Sequence, residues 1–320
     1  MLKLREILLG ITVMEAQQRQ LHQLEKIVAL FALFAVLALS LGFAQAGETK
    51  HKKKARGDEF SRLQAANPEK VFLRSSSVLV LDAASGETIL AKNADAVLPI
   101  ASITKLMTAM VVLDRGLDMN ARVVISTEDM DQLKGTHSRL RPGGALTRDE
   151  LLLLALMASE NRAAAALART YPGGTEAFIA AMNKKAQSIG MLDSRFEDST
   201  GLTAANVSTA PDLARLVQAA HEYPVIREYS TRDQAQVSVL GQSLQFRSTN
   251  GLVRNHIWEI ALQKTGFINE AGRCLVMHVR FASKDLVMIL LDSWGRNSRI
   301  GDAQRIKKWL ETSASLRPQG

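Results

Sequence analysis

The sequence predicts an α+β domain of three layers, an antiparallel sheet of about five strands with helices on both faces. Three observations predict it. Two alternating strands open the apolar part of the chain, a long block of helical patterns follows, and three more strands and a helix come last. If strands from both ends join one sheet, the helices between them must cover its faces. At 320 residues, 47% hydrophobic and 22% charged, the chain is long and apolar enough for a large core. No internal repeat is visible.

Residues 76–92, "SSVLVLDAASGETILAK", alternate apolar and polar on either side of a glycine turn, the pattern of a hairpin. Helical signals begin at Pro99. "LTRDELLLLALMA" places Thr147 at an N-cap with Glu150 three residues on, a capping box. The alanine-rich "ENRAAAALARTYPGG" stops at Pro172, Gly173 and Gly174. "TEAFIAAMNKKAQSIG" is read as a helix from its threonine to Gly190, and "STAPDLARLVQAAHEYP" as one closed by Pro224. After that the period changes. "QAQVSVLGQSLQFRS" alternates as strands do, and "IALQKTGF", "GRCLVMHVRFA" and "DLVMILLDS" are three further strands. "RIGDAQRIKKWLETSAS" is a closing helix.

Two segments do not read as folded domain. Lys26, the apolar run "IVALFALFAVLALSLGF" and the small-residue site Ala44-Gln45-Ala46 predict a secretory signal over residues 1–46, cut after Ala46. A membrane anchor is the other reading of the run, and Met14 is an alternative start. Residues 47–73 read as a basic flexible linker carrying Lys50, Lys52, Lys53, Lys54 and Arg56. The domain is then expected over 74–315, with a tail at 316–320. An exported chain meets no DNA, so the basic run is read as a solvated tether and no nucleic-acid partner is expected. No stable membrane anchor is expected after signal cleavage.

The formal net charge is +8, which favours anionic surroundings without naming a partner. The single cysteine, Cys274, excludes an internal disulfide and lies in "CLVMHV", a buried-strand context. The six histidines are scattered without metal-ligand spacing, so neither a metal nor another cofactor is expected.

"PIASITKLMTAM", Pro99 to Met110, carries a hydroxyl and an ammonium three residues apart, Ser102 and Lys105. On a helix such residues are neighbours. The pair is either a capped helix start beside a snorkelling lysine or a nucleophile beside its base. Two more motifs bear on the choice. Ser-x-Asn occurs at Ser159-Glu160-Asn161 and at Ser248-Thr249-Asn250, and Lys-Thr-Gly at Lys264-Thr265-Gly266. Each is weak alone. Taken in order, with the first at a helix start, the second in the helical block and the third on a strand, they form a penicillin-recognising signature. Ser248 lies in a polar, loop-like stretch and is read as incidental.

With these motifs, the chain resembles the low-molecular-mass penicillin-binding proteins, D-alanyl-D-alanine peptidases of the S11 type. The resemblance covers about residues 74–312 and includes "VLDAASGETILAKNADAVLPIASITKLMTA", "FEDSTGLTAANVSTAPDLARL" and "KTGFINEAGRCLV". "FRSTNGLVRN" with the last of these looks most like the endopeptidase branch, the penicillin-binding protein 7 type. The carboxypeptidase branch usually adds a β-rich domain and an amphipathic anchor, for which the residues after Gly266 leave no room.

The resemblance implies a serine β-lactamase/DD-peptidase-like fold and a periplasmic enzyme. Its partners would be peptidoglycan cross-links, with β-lactams as covalent inhibitors. Ser102 would be the nucleophile and Lys105 its base, kept neutral by apolar neighbours and by the second ammonium of Lys264. The resemblance also implies that Ser159 relays a proton to the leaving amine and that Asn161 holds a substrate carbonyl and Lys105. Lys264 and Thr265 would bind the leaving residue's carboxylate, and Gly266 would let substrate backbone lie along the strand. The N–H groups of Ser102 and Phe267 would form the oxyanion hole. A carboxypeptidase is the alternative within the family. A β-lactamase would need a deacylating base such as Glu197, and a non-enzymatic penicillin sensor would need no intact motifs.

Overall fold

The structure, a computed structural model, describes residues 71–315 except 256 and 282. The expected signal, nearly all of the basic linker and the tail at 316–320 lie outside the described residues.

In chain order the elements are β1 (Ser75–Asp82), β2 (Thr88–Lys92), β3 (Leu98–Pro99), α1 (Thr104–Asp114), β4 (Arg122–Val124), β5 (Ala145–Thr147), α2 (Arg148–Met157), α3 (Asn161–Arg169) and α4 (Gly174–Ser188). There follow β6 (Val207–Ser208), α5 (Ala210–His221), α6 (Pro224–Thr231), β7 (Gln234–Val239), β8 (Gln242–Arg247), α7 (Gly251–Arg254), β9 (Glu259–Ile268), β10 (Gly272–Phe281), β11 (Lys284–Ser293) and α8 (Ser298–Ser315). Strands from both ends do join one antiparallel sheet, in the order β2-β1-β11-β10-β9. The N-terminal strand β1 sits against β11, so the sheet closes over the helical block, and β9 is left as an edge.

The central strands are buried on both faces, which is why they read as near-continuous apolar runs. Alternation sends Leu79, Val276, Val287 and Ile289 into the main core with the helical block. Val78, Val80, Leu275, Met288 and Leu290 point to the opposite face, equally buried, where α8 packs with Ala303, Ile306 and Leu310. Asp302 pins α8 to the sheet by accepting from the N–H and hydroxyl of Ser75 at 2.7 and 2.6 Å. Helix α1 is buried on nearly every side, including Lys105 and Thr108, so it is the central helix and not a surface one.

Local signals hold at several ends. Thr147 and Glu150 form the expected capping box. Two readings need correction. Helix α4 starts at Gly174 after Gly173, which has φ +89°, and not at Thr175. Pro224 does not merely close a helix: α5 ends at His221, and Pro224 opens α6, where its fixed φ suits a first helical position. The strands β7 and β8 pair only with each other among the described residues, apart from the main sheet. Ser248 is buried and Asn250 caps α7, so the second Ser-x-Asn is structural.

Candidate active site

Ser102 lies in a 3-10 turn, Ala101–Ile103, that leads into α1. The turn is tight because Ala101 has φ +47°, a conformation that costs an L-residue energy and persists only where its surroundings enforce it. Two glycines do the enforcing. A Cβ on Gly201 would stand 1.9 Å from the carbonyl oxygen of Ala101, and one on Gly266 would stand 2.9 Å from that of Ile100 and 3.2 Å from the nitrogen of Ser102. Backbone from the 198–203 loop and from edge strand β9 therefore closes on the turn from two sides. Thr104 adds a hydroxyl bond to the Ala101 carbonyl at 2.8 Å, and the Asn206 amide donates to the Thr104 hydroxyl at 2.9 Å.

Lys105 is wholly buried one turn further on. Its Nζ lies 3.0 Å from Ser102 Oγ, and it donates to Asn161 Oδ1 at 2.7 Å and to the Thr200 carbonyl at 2.6 Å. Three polar contacts on a buried ammonium fix its direction. Burial lowers its pKa to about 8, while the carboxylates of Asp198 and Glu160 favour the charged form.

The second motif sits at the junction of α2 and α3. Ser159 has φ +58°, so the chain reverses there, and Glu160 caps α3 by accepting from the Arg162 N–H. The reversal aims the Ser159 hydroxyl at Lys264 Nζ, 2.9 Å away, and sets Asn161 at the first turn of α3, facing Lys105. The other end of Asn161 donates to Thr136 Oγ1 at 3.1 Å. Lys264 is also wholly buried, on β9, and its pKa is pushed well below the usual lysine value by burial, then by Lys105 and Arg299. Thr265 shares a hydroxyl–hydroxyl bond of 2.6 Å with Thr249. Phe267 is 50% exposed, with the Arg273 guanidinium 4.3 Å from its ring centre.

All the residues predicted from the three motifs are thus brought to one place. Hydrogen bonds join Ser102, Lys105 and Asn161 in one group and Ser159 and Lys264 in a second, and Thr265, Gly266 and Phe267 run along the sheet edge. Of the two causes expected for a neutral Lys105, burial acts as expected, and Lys264 is not among the causes found on Lys105. Burial lowers Lys105 with the nearby carboxylates opposing it, and the ammonium–ammonium repulsion appears on Lys264.

The residues that hold Lys105 from the far side were missed. Asp198 accepts from the N–H groups of Gly201 at 2.6 Å and Leu202 at 3.1 Å, from the Thr200 hydroxyl at 2.8 Å and from Asn206 Nδ2 at 2.8 Å. That web holds the Thr200 carbonyl on Lys105. Its signal lies in "FEDSTGL", part of a stretch that carries the family resemblance, from which no role for Asp198 was read. Glu197 itself pairs with Arg195 at 2.5 Å, and its carboxylate is partly exposed. Cys274 is buried in β10, where burial pushes its thiol up to about 11, an inert setting. Among the described residues no group of His, Cys, Asp and Glu is arranged to hold a metal ion.

This fold and site define a class, the serine penicillin-recognising hydrolases. Residues 63–294 match the D-alanyl-D-alanine carboxypeptidase family, peptidase S11, and the chain belongs to that family. It is 46% identical over 251 residues to a D-alanyl-D-alanine endopeptidase of Pseudomonas aeruginosa, covering 78% of this chain and 81% of that one. It is 45% identical to a D-alanyl-D-alanine endopeptidase of Escherichia coli, covering 78% and 80%. A crystal structure of the Streptomyces K15 DD-transpeptidase superposes with a TM-score of 0.70 at 26% identity, covering 77% of this chain and 98% of that one.

Proposed function

We propose that this protein is a serine D-alanyl-D-alanine endopeptidase that hydrolyses D-alanyl–diaminopimelate cross-links of peptidoglycan, with residues 74–315 as its catalytic domain. The observation that carries the reading is the 3.0 Å approach of a wholly buried lysine, Lys105, to Ser102 Oγ at the foot of a free sheet edge. A serine hydroxyl becomes a nucleophile when a base takes its proton. Lys105 is placed to do so, and its lowered pKa supplies a neutral fraction near neutral pH.

In this mechanism Ser102 Oγ attacks the D-alanine carbonyl carbon and its proton passes to Lys105. The oxyanion is held by the N–H groups of Ser102 and Phe267. Collapse breaks the C–N bond, and the leaving amine takes a proton relayed through Ser159. Water then adds to the Ser102 ester, returns the proton to the serine and releases a carboxylate. Lys264 and Thr265 bind the carboxylate beside the scissile bond. Burial, Lys105 and Arg299 disfavour the charge on Lys264 and a bound carboxylate favours it, so binding and protonation are linked. An extended peptide can pair with the outer edge of β9. No cofactor takes part.

β-Lactams are expected to acylate Ser102 slowly reversibly, because they present the same carbonyl and carboxylate. The outward pairing of Glu197 with Arg195 favours a peptidase over a β-lactamase. The expected export signal places the enzyme in the periplasm; among the described residues no helix is long and apolar enough to cross a membrane.

The test is digestion of cross-linked dimer muropeptides mixed with monomeric pentapeptide, with products read by mass. Loss of dimer with pentapeptide untouched supports the endopeptidase. Loss of one alanine from the pentapeptide with dimer intact makes the enzyme a carboxypeptidase with the same site.

A further inference from the structure

Beside the Ser159 turn lies an open cavity of about 300 Å³ to which the three motifs contribute only Glu160, the middle residue of the second. It is lined by Ala158 and Glu160, which flank Ser159, by His137 and Arg139 of the 130–141 loop, and by Phe246 and Arg247 of β8. Two arginines and one glutamate thus line it. The carboxylate is already engaged, since Glu160 caps α3 through the Arg162 N–H. Arg139 is held in place: its guanidinium lies 4.0 Å from the Phe246 ring centre and donates to the Gln245 carbonyl at 2.7 Å. Arg247 is exposed and its side chain meets no acceptor among the described residues. A stacked, oriented guanidinium next to an unpaired one is an arrangement suited to planar anions such as carboxylates.

We propose that this cavity is a carboxylate subsite for the leaving half of the substrate, and that it selects cross-linked peptides over single stems. The proposal rests on the reading of the active site given above, in which Ser159 meets the leaving amine. The lining includes both neighbours of that serine, and Thr136, beside His137, accepts from Asn161, so the cavity adjoins the site and lies within reach of a leaving group larger than one residue. Free D-alanine carries only the carboxylate beside the scissile bond, which Lys264 and Thr265 take. The leaving stem of a cross-link carries further carboxylates, and these reach Arg139 and Arg247. The third wall, from the β7–β8 hairpin, belongs to the small sheet that stands apart from the central one. Specificity would therefore be set by an appendage to the fold, with the hydrolytic groups unchanged.

The test uses the enzyme with intact Ser102 and two synthetic dimers. One has the leaving stem's carboxylates free, and in the other those remote from the scissile bond are converted to amides. Arg247→Gln, at an exposed position, is compared with the parent, and an unchanged melting temperature checks its fold. Expected is a roughly tenfold fall in kcat/KM on the free-carboxylate dimer, carried by KM, and little further fall on the amidated dimer. Arg139→Gln should act in the same direction. Equal losses on both dimers, or none on the first, overturn the subsite. If the parent cleaves neither dimer but trims pentapeptide, it is the endopeptidase reading that fails, and the subsite falls with it for a separate, visible reason.

Discussion

The Nζ of Lys105 stands 3.0 Å from the Oγ of Ser102, and both belong to one short segment whose backbone is bent at Ala101. The lysine's low pKa, about 8, has burial as its main cause. A base works only when neutral, so acylation should accelerate as pH rises through the region of this pKa and level off above it. The two buried lysines interact, so the apparent value belongs to the pair. The rate of acylation by a fluorescent penicillin, measured from about pH 6 to pH 10, checks this. A rate that falls over the acid side of that window would show that the charged lysine is the active form.

Asp198 stabilises the charge on Lys105 and also holds the loop behind it. Asp198→Asn keeps the shape but removes the charge. The acid limb of the same profile should then move to lower pH, even though loosening of the Thr200 carbonyl reduces the maximal rate. A shift to higher pH would contradict the electrostatic assignment.

Gly201 has φ +80° and faces the Ala101 carbonyl with no space for a Cβ. Gly201→Ala should lose at least about 2 kcal/mol of stability. It should also impair acylation in whatever fraction folds, because the atom it collides with belongs to the nucleophile's own turn. Thermal melting and penicillin labelling read the two effects separately.

Asp129 has a side chain only 1% exposed, and it accepts twice from Arg169, at 2.9 Å each, and once from the Ser126 N–H at 2.7 Å. Asp129→Ala leaves a partly buried guanidinium without its partner and should cost roughly 3 kcal/mol. Denaturant unfolding measures this. A loss within experimental error would mean that water replaces the carboxylate freely.

Ser102→Ala should remove the covalent β-lactam adduct, seen as the absence of a mass increase, and lower dimer hydrolysis by at least about a thousandfold. Hydrolysis at the parent rate would place the chemistry at another site.

Much of this was legible because its causes are local. Apolar runs buried on both faces gave β9, β10 and β11. The Thr147–Glu150 capping box marked the start of α2. The motif residues were found because their spacing follows from local geometry: one helical turn between Ser102 and Lys105, and a reversal at Ser159 that lets Asn161 start α3. What was misread lay where two local rules compete. Pro224 can follow one helix or open the next, and only the packing of α6 against β9 decides between them.

By itself the sequence determined the chemical groups, their order and the sheet-forming segments, since residue type and periodicity act over a few neighbours. Only the tertiary structure decided which groups meet and how they are charged. Lys264 reaches Ser159 across 105 positions, and the Thr200 carbonyl reaches Lys105 across 95. The pKa of each lysine depends on how much protein surrounds it and which charges lie near. Those are properties of the closed core, and no short stretch of chain contains them.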